Sequence, residues 1–101
     1  MLLDHEPKFA LGQTVMTQGI ANGFEDPETG DQLRREVSES FRKYCSGDWG
    51  QTCEEDSKLN DLAVANGDDR IVAKYTTCKG NIFIITEWDR SYTTIMFANE
   101  Y

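Results

Sequence analysis

The sequence predicts an α+β domain: a short N-terminal strand, two helices, and then a three-stranded antiparallel β-meander. Two observations carry this prediction. From Arg70 to Phe97, apolar and polar residues alternate with period two and are interrupted by turn residues at hairpin spacing. From Leu33 to Tyr44, apolar residues recur instead at the helical period.

Residues 1–8 are mostly polar and are expected to be a flexible N-terminus, leaving residues 9–101 as a single domain. Within Phe9 to Thr17, the β-prone stretch Gln13-Thr14-Val15-Met16-Thr17 reads as a strand stopped by Gly19. Ala21 to Gly30 contains Asn22-Gly23, Asp26-Pro27 and Gly30, and reads as loop.

The first helix opens on Thr29 and Gln32, which have the spacing of a capping box. Leu33, Val37, Phe41 and Tyr44 form its apolar face, while Arg34, Arg35, Glu36, Glu39, Arg42 and Lys43 form a charged one. Basic residues near its end suit the helix dipole, and Gly47 suits the C′ position. Gly47-Asp48-Trp49-Gly50 is a tight loop. The second helix has a capping-box spacing at Thr52 and Glu55, and Glu54, Glu55 and Asp56 load its first turn with acid. Leu59, Leu62 and Ala63 are its expected apolar side, and Asn66-Gly67 ends it.

In the meander, Ile71, Ala73 and Tyr75 alternate with Val72, Lys74 and Thr76, and Cys78 to Asn81 makes the first turn. Asn81 to Trp88 is the most apolar strand and is expected at the centre. Ile82 and Ile84 lie on one face and Phe83 and Ile85 on the other, so both faces need cover. The helices are expected on one face, and the N-terminal strand, a loop or a partner on the other. Asp89-Arg90 makes the second turn, and Tyr92 to Phe97 returns.

Charge narrows the function classes. The chain of 101 residues carries 18 acidic and 10 basic side chains, a net charge of −8. Each half carries nine acids and five bases, so there is no basic tail or stripe. Binding to phosphate backbones draws its affinity from clustered Lys and Arg, so direct nucleic-acid binding is disfavoured. The balance suits a protein partner with a basic surface, or simply keeps the chain in solution. No apolar run approaches the length of a membrane span, and Met1 to Glu6 lacks the pattern of a signal peptide. The expected location is the cytoplasm.

Cys45, Cys53 and Cys78 are odd in number and contain no CxxC pair, so reduced, buried thiols are expected. The single histidine, His5, lies in the flexible segment, where it cannot be held for triad chemistry or metal binding. No catalytic constellation and no phosphate-binding glycine loop is recognisable. No cofactor or metal is expected, and the chain is not read as an enzyme.

Two groups of residues remain candidates. Glu54, Glu55, Asp61, Asp68 and Asp69 are either a solvated face with acids favoured by the dipole, or a patch that meets a basic protein surface. Asp48, Trp49, Glu87, Asp89 and Arg90 are either turn chemistry with a core tryptophan, or a polar recognition site, provided they converge.

The string Gly47-Asp48-Trp49-Gly50, then Glu55-Asp56, Asn60, Arg70-Ile71, Tyr75, Ile84-Ile85-Thr86-Glu87, Asp89-Arg90-Ser91, Thr93-Thr94 and Glu100-Tyr101 resembles a family of small proteins from bacterial plasmids, phages and integrated elements. Members are labelled plasmid-related or linked to type I restriction–modification subunits. The resemblance covers residues 9–101. It implies a mobile-element setting, in which small acidic proteins often act as counter-defence factors. The expected function is a non-enzymatic interaction protein that inhibits a CRISPR-type or restriction nuclease complex. The alternative is a small-molecule-binding domain or small enzyme centred on Asp48, Trp49, Glu87 and Arg90.

Overall fold

The computed structural model describes residues 7–101 and has three α-helices and a four-stranded mixed sheet. The elements in chain order are β1 (Gln13–Met16), α1 (Gln18–Phe24), α2 (Gly30–Cys45), α3 (Glu54–Asn66), β2 (Ile71–Thr77), β3 (Gly80–Thr86) and β4 (Tyr92–Phe97), followed by a 3₁₀ turn at Ala98–Glu100. Most of the expected flexible segment, His5 included, lies outside the described residues. Lys8 is already tied down, its N–H donating to the Cys45 carbonyl at 3.0 Å.

The meander forms as expected, with β3 central. Ala73 lies opposite Ile84, and Ile84 opposite Ile95. The sheet order β1-β4-β3-β2 adds β1 to the free side of β4, in parallel, with Val15 opposite Thr94. The N-terminal strand therefore extends the sheet rather than covering a face of it. The 3₁₀ turn instead carries Tyr101 back onto Phe83, their ring centroids 5.4 Å apart.

The helical layer differs from the sequence reading in an added helix, in how α2 and α3 begin, and in the face that α3 buries. Gln18–Phe24, which reads as strand stop and loop, is a helix. Its N-cap is Thr17, whose Oγ1 accepts from the Ile20 N–H at 3.4 Å, and Ile20 is fully buried. Gly23 looks like a helix breaker, yet it lets α1 close on the Leu33 side chain, where a Cβ would collide. Packing thus overrides the low helix propensity of this segment.

The second difference is the way helices α2 and α3 begin. Neither expected capping box forms, since neither N-cap residue makes a side-chain cap bond. Before α2, Asp26 Oδ1 takes the N–H groups of Glu28 and Thr29 at 2.8 and 3.2 Å. Before α3, Thr52 Oγ1 donates to the Trp49 carbonyl at 2.6 Å and accepts from Lys74 N–H at 2.9 Å. Its hydroxyl is engaged with β2 and cannot cap α3.

The core sits between the helices and the inner face of the sheet. Leu33, Val37 and Tyr44 of α2 meet Ile71, Ala73, Tyr75, Ile82, Ile84 and Ile95, all buried. Phe9, Tyr44 and Trp49 form an aromatic cluster at one end, with centroid separations of 5.3 to 6.0 Å.

A polar chain crosses this core. Thr93 Oγ1 donates to the Leu11 carbonyl at 2.7 Å. Its single proton is then used, so Thr86 must donate to Thr93, and Tyr44 must donate to Thr86, each at 2.7 Å. The direction follows from Leu11 O, which can only accept; the Ile71 carbonyl, a second pure acceptor at 3.3 Å, shares the Tyr44 proton less closely. Burial holds the Tyr44 hydroxyl well above the usual phenol range, so it stays protonated as this arrangement needs.

Candidate functional site

The GDWG loop is built by local rules. The Gly47 N–H donates to the Tyr44 carbonyl and the Asp48 N–H to the Lys43 carbonyl, at 3.1 and 2.9 Å. Gly47 has φ +84°, which completes a Schellman ending for α2. Asp48 Oδ1 accepts from Gly50 N–H at 3.1 Å, and the Asp48 carbonyl accepts from the Tyr75 hydroxyl at 2.7 Å. Gly50, at φ +62°, lies so close to the Tyr75 ring that any Cβ would collide with it. Trp49 is buried, and its Nε1 donates to Asp61 Oδ1 at 2.8 Å. Each residue of the motif has a structural task.

The turn from β3 to β4 is built in the same way. Arg90 N–H donates to the Glu87 carbonyl at 2.9 Å, and Arg90 itself has φ +61°. Its guanidinium spans two elements. Nη2 donates to the Ala63 carbonyl of α3 at 2.9 Å, and Nη1 to the Asp69 carbonyl at 2.5 Å and the Glu87 carbonyl at 3.2 Å. A cation at the end of α3 also opposes the negative end of the helix dipole. Asp89 Oδ1 accepts from Ser91 N–H at 3.0 Å, and the Ser91 hydroxyl, then its N–H, hold the Asp89 carboxyl below the usual range.

Asp48 and Trp49 therefore lie in one loop, and Glu87, Asp89 and Arg90 in another. Among the described residues, no hydrogen bond, ion pair or ring contact joins the two groups. None of the five lines the clefts beside Asp56 and Arg70, beside Met16 and Phe41, or beside Cys53 and Phe83. Asp48 and Asp89 are engaged within their own turns, while Trp49 and Arg90 tie those turns to α3. No group of His, Cys, Asp and Glu side chains among the described residues is arranged to hold a metal ion. No helix among them is long and apolar enough to cross a membrane.

The acidic candidates lie on and just beyond α3, and all five side chains are exposed. Glu54 pairs with Lys58 at 3.5 Å, and Asp61 accepts from Trp49. Asp69 Oδ1 accepts from Arg70 N–H at 2.8 Å. Asp69 also stands with Asp56, Leu59 and Arg70 around a cleft of about 350 Å³ between α3 and β2.

The most informative residues here are those misread from the sequence. Leu59 and Leu62 are expected to be buried, yet each is 57% exposed. Ala63 is buried as expected, but Asn60 turns inward in place of the leucines, with Val64 packed against the core. The cause is the open edge of β2. The Asn60 side chain bonds the backbone of Val72 there, a task no leucine can perform. Satisfying those backbone groups sets the rotation of α3 and turns its leucines to solvent. Spacing alone cannot reveal this; the one cue is the pair of polar residues, Asn60 and Asp61, between two leucines.

Comparison with protein-family models, with curated proteins and with solved structures yields no match.

Proposed function

We propose that this chain acts by protein–protein interaction, through the exposed surface of α3 and the Asp68-Asp69 segment beyond it. The observation that carries the reading is the outward placement of Leu59 and Leu62 among carboxylates. Glu55, Leu59 and Leu62 follow one another at i, i+4 and i+7, so they form one row along the helix. Apolar side chains at the centre of a polar rim are the usual anatomy of a binding surface. The rim is acidic, which selects a partner with a basic surface. The cleft beside Leu59 has Asp56 and Asp69 on its walls together with Arg70, whose guanidinium is turned to Tyr101, so its carboxylates can receive a Lys or Arg side chain from that partner.

The resemblance to mobile-element proteins supplies the setting. In it, the partner is a host defence nuclease complex of the CRISPR or restriction type, and the protein occupies a basic surface that serves nucleic acid. The net charge of −8 favours such a target. Phage plating on a bacterium that carries the defence system, with and without this protein, tests the setting. Restored plating supports it, and unimpaired defence counts against it. The surface is tested separately by measuring affinity for the purified complex. Leu62→Ala and Glu55→Lys should each weaken binding about tenfold or more while circular dichroism is unchanged. Binding unaffected by either variant would place the contact elsewhere.

A further inference from the structure

The two edges of the sheet are treated differently. At β2, Val72 bonds Asn60, while Lys74 takes Gln51 N–H at 2.7 Å on its carbonyl and gives its own N–H to Thr52. That edge is covered. At β1, Gln13 N–H donates to the carbonyl of Ser91, just before β4, and Thr17 N–H to that of Ile95 within it, each at 3.1 Å. Strand alternation then points the N–H and C=O groups of Thr14 and Met16 away from the sheet. All four residues of β1 are exposed.

Apart from the strand's length of four residues, the usual protections are missing from this edge among the described residues. β1 has no lysine, no proline and no bulge. Beneath it the helix and sheet layers gape, leaving an apolar cleft of about 380 Å³ bounded by Thr14, Met16, Phe24, Ser38 and Phe41 among others. Val15 and Met16 are 37% and 46% exposed.

We propose that β1 pairs with β1 of a second copy of this chain, antiparallel, about a two-fold axis at Val15. Charge selects this occupant. From Phe9 to Phe24 the sequence carries no ionisable side chain, although the whole chain carries a net −8. The Glu100 carboxylate, held by the Thr17 hydroxyl at 2.8 Å, lies at the end of the strand and off the axis, so two copies meet at Thr14–Met16 with no like charges facing each other, whereas the acidic α3 surfaces repel one another. A basic partner gains nothing from an uncharged strand.

The register follows from the open groups. With Val15 opposite its symmetry mate, Thr14 of one copy faces Met16 of the other. Each such pair exchanges two backbone hydrogen bonds. The two-fold axis is normal to the sheet, so the helices of both copies stay on one side. Thr14 and Met16 of each copy then lie over the other's apolar cleft.

Sedimentation velocity over a range of protein concentration, with amide exchange followed by NMR, tests this. The expected result is a concentration-dependent dimer in which the Thr14 and Met16 amides gain protection as the dimer forms. Thr14→Pro removes an outward N–H in each copy and leaves the bonds to β4 intact. It should weaken the dimer about thirtyfold, the worth of two backbone hydrogen bonds. Val15→Lys places two like charges on the axis and should weaken it as well. Circular dichroism and a retained protection of the Val15 amide show that each variant folds. A monomer at all concentrations overturns the proposal, as does a dimer indifferent to both variants. Protection of Thr14 and Met16 only when a different protein is added also overturns it, because the edge then serves that protein.

Discussion

The side-chain amide of Asn60 is hydrogen-bonded twice to the backbone of Val72. Nδ2 donates to the Val72 carbonyl at 2.9 Å, and Oδ1 accepts from the Val72 N–H at 3.2 Å. One side chain on a helix thus stands in for a residue of a neighbouring strand. The expected consequence is unusual for a helix substitution. Asn60→Leu extends the leucine pattern of α3 and raises its helix propensity, yet it should destabilise the fold by about 2–3 kcal/mol, because two backbone groups lose their partner. Urea unfolding measures this, and a neutral or stabilising result would remove Asn60 from its place at the edge.

The polar chain through the core predicts non-additivity. Thr93→Val leaves Leu11 O without a donor and Thr86 without an acceptor, and should cost about 2 kcal/mol. Thr86→Val breaks the bonds to Tyr44 and Thr93 and should cost a similar amount. The double variant should cost less than the sum by about 1 kcal/mol, since the bond between the two hydroxyls is lost only once. A double-mutant cycle by chemical denaturation checks this, and simple additivity would count against a continuous chain.

The ion pair between Lys79 and Asp26 predicts a titration. Lys79 Nζ donates to Asp26 Oδ2 at 2.7 Å. That bond, with the N–H groups of Glu28 and Thr29, holds the Asp26 carboxyl at about 2, below its ordinary 3.8. A carboxylate with a depressed value stabilises the fold fully above the ordinary value, and the contribution is lost as pH falls through the depressed one. The window is therefore about pH 4 down to 2. NMR titration of Asp26 should show the low value, and Lys79→Ala should move it upward.

The three thiols should separate by reactivity. Cys45 is buried, and its burial pushes the thiol up to about 11. Cys78 is exposed, but the Glu36 carboxylate beside it raises its value. Cys53 is exposed. A disulfide reagent near pH 8 should modify Cys53 first and Cys45 only on unfolding, as read by mass spectrometry of timed samples. Early labelling of Cys45 would show that the α2 end opens readily.

The sequence reading anticipates the meander closely, because strand alternation and turn residues act locally in Ile71–Phe97. It also anticipates the apolar face of α2, whose Leu33, Val37 and Tyr44 are buried. It misses α1, since Gly19 and Gly23 spell a loop to any local rule and owe their places to Glu100 and Leu33 far along the chain. It mistakes the buried side of α3, because the choice of Asn60 over Leu59 is made by a strand edge not visible in the helix's own spacing. It expects all three cysteines to be buried, whereas Cys53 and Cys78 are exposed. The loop motifs stand out as motifs, but their purpose emerges only once Tyr75 is seen against Gly50 and Arg90 against Ala63.

Strand β1 also bears on how the chain folds as it is made. Its partner is β4, and the side-chain bonds that flank the pair, Thr93 to Leu11 before β1 and Thr17 to Glu100 after both strands, each span more than eighty positions. While the ribosome is still making β2 and β3, the N-terminal strand has nowhere to go. Every large loop must close before these contacts form, which is the topology of a slow folder. The last strand synthesised thus admits the first, and a nascent chain stalled before Tyr92 should leave Gln13–Met16 open to proteases and chaperones.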